Sequence, residues 1–244
     1  MFKTLLKILV LFAMMGYLIY AMVVINRPEQ EKSCRGLEIT LASSQQQDFV
    51  TENEIREILL AKKLYLEGMG LDQVDLGEIE RTLTATPYID EAQCYVTMDD
   101  KIAIRVLPRI PVLHVLNNKG EDFYIDNKGA IMPRGHHHTD LVLMTGAVST
   151  ATAGGLYAPL GVYLAQHDFW NKQIEQIYVT ADGDIELTPR VGNHTIVLGD
   201  TSKIDDKLHR MQVFYEQGLK KVGWNKYSRI SLKFDNQIVC TRRK

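Results

Sequence analysis

Lys101-Ile-Ala-Ile-Arg-Val-Leu-Pro-Arg-Ile-Pro-Val112 is where the chain changes character. Ile102, Ile104 and Val106 recur with the period of two that a half-buried strand shows, and Pro108-Arg-Ile-Pro111 then separates them from a new β-prone run. Upstream, Ala92, Cys94, Val96 and Met98 alternate in the same way, with Asp99-Asp100 as the turn of a hairpin. Two helix starts come earlier. Thr51-Glu-Asn-Glu54 is a capping box ahead of Ile55, Ile58 and Leu59, and Asp75-Leu-Gly-Glu78 leads into Ile79 and Leu83, with Pro87 as the exit. The carboxylates at these starts read as caps rather than as catalytic groups. Arg35-Gly-Leu-Glu-Ile-Thr-Leu41 places Leu37, Ile39 and Leu41 on one face of a further strand. The order strand, helix, helix, strand, strand over Arg35 to Leu107 therefore predicts an α+β unit of about 70 residues.

Downstream, Val112 to Leu116, Phe123 to Ile125 and Ala130 to Met132 alternate with Asn117-Asn-Lys-Gly120 and Asp126-Asn-Lys-Gly129, which predicts an antiparallel meander. An exposed loop from Arg134 to Thr139 and a strand from Leu141 to Thr145 come next, then a helical stretch near Tyr157 to Trp170. Strands are expected around Ile174 to Thr180, Asp184 to Thr188 and Thr195 to Gly199. Ile204, Leu208, Met211 and Tyr215 form the apolar stripe of a helix lying on the sheet. The runs Tyr227 to Phe234 and Gln237 to Thr241 close the pattern.

At the start, Lys3 and Lys7 precede an uncharged run from Ile8 to Ile25, about enough to cross a bilayer as a helix. It continues through Tyr20-Ala-Met-Val-Val-Ile25 without the small-residue site of a cleaved signal peptide, so an uncleaved anchor is expected. Flanking charge does not orient it, because Arg27, Lys32 and Arg35 balance the two lysines. Pro28 and the Glu29-Gln-Glu-Lys32 run read as a juxtamembrane linker.

With 244 residues, 45% of them apolar, the chain is large enough for one or two cores, and its net charge of −2 with no basic block excludes an electrostatic nucleic-acid binder. Cys34, Cys94 and Cys240 lack the spacing of a zinc site. His136-His-His138 are adjacent and cannot all converge on one tetrahedral centre without an unusual loop, so a solvent-exposed tract is expected. No G-x-S-x-G, H-E-x-x-H or P-loop pattern occurs, and Gly154-Gly155 does not form a phosphate cradle after a buried strand. No catalytic residue, cofactor or metal is expected.

Taken in order, several segments resemble the bacterial cell-division family FtsQ/DivIB. The anchor is followed by Gly36-Leu-Glu-Ile-Thr-Leu41 and Phe49-Val-Thr-Glu-Asn-Glu-Ile55, similar to the opening of that family's POTRA (polypeptide-transport-associated) domain. Asp75 through Pro87-Tyr-Ile-Asp-Glu-Ala92 resembles its second helix and hairpin, and Lys101 to Val112 with Phe123-Tyr-Ile-Asp-Asn-Lys-Gly129 resembles the junction into the β-domain. The resemblance implies an α+β chain with a single transmembrane helix, a POTRA domain (β-α-α-β-β) and an antiparallel β-domain with packed helices. The expected boundaries are a cytoplasmic tail over 1–7, the signal anchor over 8–26, a linker over 27–34, the POTRA domain over 35–108 and the β-domain over 109–244. It also implies a place in the cytoplasmic membrane with the bulk in the periplasm.

The function implied is that of a non-enzymatic divisome scaffold, which binds FtsB and FtsL and helps control septal peptidoglycan synthesis by FtsW and FtsI. Lys233-Phe-Asp-Asn236 resembles the family's contact motif, so partner binding is expected on Ile230, Ser231, Leu232, Lys233, Phe234, Asp235 and Asn236, read as an edge strand. The competing reading turns Phe234 into the core and makes Asp235-Asn-Gln237 a hairpin turn. A POTRA-type transport module that binds unfolded outer-membrane substrates is the alternative function, and a secreted hydrolase a third. In an oxidising compartment Cys34 and Cys94 pair, or Cys94 is simply a small buried hydrophobe.

Overall fold

The computed structural model describes residues 12–22, 33–42, 49–135 and 139–244. The expected tail at 1–7, linker residues 27–32, residues 43–48 and the histidines at 136–138 lie outside the described residues. Residues 12–22 form a helix, α1, with Phe12, Tyr17, Leu18 and Tyr20 exposed. Among the described residues no helix is long and apolar enough to cross a membrane. The rest of the expected span over 8–26 falls outside them.

The chain divides into two compact units: Met1–Leu41 with Glu52–Leu83 and Glu91–Val106, and Ala42–Thr51 with Thr84–Asp90 and Leu107–Lys244. The first is built on β1 (Leu37–Leu41), α2 (Glu52–Ala61), α3 (Leu76–Thr84), β2 (Ile89–Val96) and β3 (Ile102–Pro108). This is the expected β-α-α-β-β order. β3 lies centrally, between β1, to which it is parallel, and β2. Ile55 and Leu59 of α2 and Ile79 and Leu83 of α3 are buried, as helical spacing predicts. Asp75 is a cap: its Oδ1 accepts the Glu78 N–H at 2.9 Å, and that bond holds its carboxyl below the usual carboxylate range.

All three cysteines are free, so of the two alternatives for Cys34 and Cys94 the bridge is overturned. Cys34 precedes β1 on one edge of the three-stranded sheet and Cys94 lies on β2 at the other, with β3 between. Two inter-strand spacings of about 4.8 Å exceed the roughly 7 Å between Cα atoms that a disulfide spans. Cys94 is half-buried, and burial, reinforced by the nearby Glu80 carboxylate, pushes its thiol up to about 12. Unfolding without reductant should leave all three thiols open to alkylation. Mass analysis that finds any pair still joined would contradict this.

The second unit carries a nine-stranded sheet in the order β12-β11-β10-β9-β8-β7-β4-β5-β6. Its strands are β4 (Pro111–Asn117), β5 (Asp122–Asp126), β6 (Ile131–Pro133), β7 (Leu143–Gly146), β8 (Ile174–Val179), β9 (Ile185–Pro189), β10 (Thr195–Gly199), β11 (Tyr227–Ser231) and β12 (Val239–Arg242). The expectation of an antiparallel domain is corrected here. β4 with β7, β7 with β8, and β10 with β11 all pair in parallel. A parallel neighbour needs a crossover, which β5 and β6 span between β4 and β7 and helices span in the other two pairs. α4 (Thr150–Gln166) and α5 (Asp168–Gln173) connect β7 to β8, while α6 (Ile204–Val213), a π-helical segment Phe214–Leu219 and α7 (Lys220–Val222) connect β10 to β11. The stripe Ile204, Leu208, Met211 and Tyr215 is buried in the main core as expected, with Ile177, Leu187 and Ile230 among the buried strand residues.

Asp126 fixes the start of this sheet. It is fully buried; its Oδ1 accepts the N–H groups of Lys128 and Ala130 at 2.9 and 2.6 Å, and its Oδ2 accepts Arg109 Nη1 at 2.8 Å. The Asp-Asn-Lys-Gly turn and the Pro-Arg-Ile-Pro stretch thus share one carboxylate, as a buried charge requires.

His194 is buried as well, sharing a 2.9 Å hydrogen bond with the Tyr215 hydroxyl, while its Nδ1 has no partner among the described residues. Burial, and secondarily the Arg243 charge, lower its pKa. The unfolded chain therefore binds this proton more readily than the folded one. The resulting stability is complete above the unfolded value of about 6.5 and is lost as pH falls below it. Denaturant titrations at falling pH should show a decline that a His194→Gln variant lacks below the same point. Identical pH profiles for the two proteins would refute the assignment.

Candidate partner-binding site

The predicted segment does not form one edge. Ile230 and Ser231 belong to β11, which is paired on both sides, with β10 and β12. Ile230 and Leu232 are fully buried in the core. The reading of Ile230 to Asn236 as an edge strand is therefore corrected, because the polar residues after Leu232 mark a turn within the sheet and not its end. The edge itself is β12, Val239–Arg242.

Lys233 to Asn236 form the connection between β11 and β12 and are exposed. Phe234 keeps 52% of its surface and does not enter the core, while Asn236 adopts a left-handed φ of 57°, a conformation Asn tolerates in turns. Each competing reading is thus half met: a turn, but with its aromatic outside.

Side chains from neighbouring elements hold this turn. Lys203 Nζ donates to Asp235 Oδ2 at 2.8 Å, and that bond holds the Asp235 carboxyl below its usual range. Lys233 Nζ reaches both carboxylate oxygens of Asp184 at 2.9 and 2.7 Å. Arg210 Nη1 donates to the carbonyls of Phe234 and Gln237 at 3.1 and 2.8 Å, and its Nε to Asp206 Oδ2 at 3.1 Å. At the start of α6, Lys207 Nζ donates to Asp200 Oδ1 at 2.6 Å, which with the Ser202 hydroxyl pulls that carboxyl down to about 2. The helix and the turn are therefore cross-linked by charge-assisted bonds, the stronger kind.

The register shows which backbone groups of β12 are free. Leu232 N–H donates to the Val197 carbonyl at 2.9 Å, so Ile230 and Leu232 direct their polar groups to β10, and Arg229 and Ser231 direct theirs to β12. Arg229 lies opposite Thr241 and Ser231 opposite Val239. Thr241 and Val239 are thus bonded inward, and the N–H and C=O groups of Cys240 and Arg242 point away from the sheet. The Arg243 N–H, which donates to Lys226 O at 2.9 Å, fits the same alternation.

Beside this edge, α6, the π-helical segment, α7 and the turn enclose an open groove of about 630 Å³. Val213, Phe214 and Ile238 supply apolar walls and His209, Arg210 and Lys221 basic ones; no carboxylate lines it. Arg210 Nη2, which is buried, has no hydrogen-bond partner among the described residues. Two marks of this site stand in the sequence, the Asp-Asn turn and the β-branched alternation of Val239 and Thr241. The contribution of α6 comes from tertiary packing and has no local mark.

Comparison with known proteins bears on both units. A POTRA-like domain matches residues 32–107, and the family described as FtsQ/DivIB, C-terminal related matches residues 110–241, more than half of the chain. No curated protein matches. The FtsQ/DivIB-related match points to a role in cell division. The chain, with its POTRA-like domain and its mixed nine-stranded sheet, belongs to the FtsQ/DivIB-related family.

Proposed function

We propose that this protein is a non-enzymatic scaffold of the divisome, which binds single-span division proteins of the FtsB and FtsL kind and through them helps control septal peptidoglycan synthesis by FtsW- and FtsI-type enzymes. The observation that carries this reading is the β12 edge, whose outward amides at Cys240 and Arg242 adjoin the exposed Phe234 and a basic, partly apolar groove. An edge of this kind takes a partner by strand addition, with backbone bonds for affinity and side-chain pockets for specificity. The groove favours a partner segment with acidic and apolar side chains. Within the expected segment, Lys233 to Asn236 act as the rim of this surface, and Ile230 to Leu232 support it from the core.

Residues 8–26 hold the chain in the cytoplasmic membrane, and the remainder lies in the periplasm. The uncharged run from Ile8 to Ile25 and the exposed apolar side chains of α1 support this placement. Affinity capture of the full chain from growing cells, with identification of what co-purifies, tests the reading. Division proteins of the named kind are expected. Recovery of outer-membrane precursors in their place would favour the transport reading and overturn this one.

A further inference from the structure

We propose that the outer edge of β1 in the first unit is a second docking strand, which takes an extended apolar segment of a partner protein carrying one acidic side chain for Arg56. This surface is separate from the β12 edge and does not depend on it.

The backbone alternation is fixed by one bond. Ile102 N–H donates to the Gly36 carbonyl at 3.1 Å, and Leu37, Ile39 and Leu41 lie in register with Ile102, Ile104 and Val106. In a parallel pair with this register, Gly36, Glu38 and Thr40 direct their N–H and C=O groups to β3. Leu37, Ile39 and Leu41 direct theirs outward. β1 has no second strand neighbour in the sheet among the described residues.

The same edge already accepts a strand from the chain itself, a little earlier. Cys34 N–H donates to Met69 O and Gly68 N–H donates to Cys34 O, each at 2.8 Å, and Ser33 bridges Gly70 in antiparallel fashion. That pairing stops at Cys34. Where it stops, Leu37, Leu59, Leu60, Leu64 and Tyr65 enclose a cavity of about 310 Å³, with Leu60 and Tyr65 more than half exposed at its rim. The space suits a large apolar side chain.

Arg56 supplies the charge. Its Nη2 reaches the outward carbonyl of Leu37 at 3.4 Å, a long bond, and it has no ion-pair partner among the described residues. A carboxylate from an incoming strand would pair with this guanidinium far better than a neutral carbonyl does. Glu67 lines the same cavity and disfavours a wholly acidic segment, so the fit is to a single carboxylate among apolar residues. Outward amides, an apolar cavity and a guanidinium without a carboxylate lie along one edge, and an extended segment satisfies all three.

The test uses the full chain in detergent micelles and a synthetic peptide of alternating Leu and Thr with one central Glu, with residue-resolved amide exchange as the readout. Without peptide, the Leu37, Ile39 and Leu41 amides should exchange quickly while Glu38 and Thr40 are protected. With peptide, the three fast amides should slow about tenfold or more, and Arg56→Glu or a central Lys in the peptide should weaken binding about tenfold. Arg56 is partly exposed, so the variant should keep the exchange pattern of α2 and β3. Protection of the three amides before peptide is added would show the edge already covered. That result, no slowing at saturating peptide, slowing only at Cys240 and Arg242, indifference to the charge changes, or self-association of the chain through β1 would each overturn the proposal.

Discussion

Gly154→Ala should destabilise the second unit by about 3 kcal/mol, the upper range for forcing one methyl into a closed contact. A Cβ at this position would collide with the Gly129 carbonyl oxygen and lie 2.8 Å from its carbon, and backbone on both sides leaves nothing flexible to yield. Gly129 is held in place by its own turn. Its φ is +86°, and the Asp126 carboxylate ties the N–H groups of Lys128 and Ala130 on either side of it. The neighbouring Gly155 is the control: it is exposed, and a Cβ there meets nothing within 4 Å. Gly155→Ala should therefore stabilise by about 0.5–1 kcal/mol through helix propensity alone. Denaturant midpoints of the two single variants decide the matter. Equal midpoints would mean that α4 does not approach the β5–β6 turn this closely.

That contact separates what is legible in the sequence from what is not. The turn at Asp126 to Gly129 and the helix around Tyr157 each carry a local signature, yet nothing local says that Gly154 lies against Gly129. The start of α4 at Thr150 is illegible for a related reason. Ala151, Ala153, Gly154 and Gly155 have no amphipathic period, because small residues at a close helix–sheet contact replace the leucine stripe found elsewhere. In the first unit period or cap marks β1, α2, α3, β2 and β3, and the β-α-α-β-β order is read from them.

Parallel pairing is the larger gap. Short β-prone runs between Asn-Lys-Gly turns do predict the β4–β5–β6 meander, but the helices inserted after β7 and β10 return the next strand in the same direction as the one before it. At the chain's end the short turn after Leu232 folds β12 back onto β11 in antiparallel fashion, which puts the end of the sheet, and with it the candidate site, at β12. The aromatic and Asx character of Phe234 and Asn236 is enough to suggest exposure and a turn, whereas the burial of Ile230 depends on β10 and β12 lying on both sides of it.

Arg242→Pro should weaken strand addition at β12 about tenfold or more while leaving the sheet folded, and it is the sharpest single test of where a division partner binds. Proline removes one N–H and fixes φ near the extended range, so its effect depends on which way that N–H points. At Arg242 the group points outward and takes no part in the pairing with β11. At Thr241 it points inward, opposite Arg229. Thr241→Pro should therefore loosen β12 itself and lower the unfolding midpoint, whereas Arg242→Pro should leave the stability within about 0.5 kcal/mol of the parent. Partner capture should fall by about tenfold or more in Arg242→Pro, as expected when an edge bond worth about 1.5 kcal/mol is lost and its neighbours are displaced. The charge is controlled by Arg242→Ala, which keeps the amide and should lose much less. If the proline variant captures FtsB- or FtsL-type partners as well as the alanine variant does, β12 is not the docking strand. Loss in both to the same degree would assign the interaction to the Arg242 side chain and not to the backbone edge.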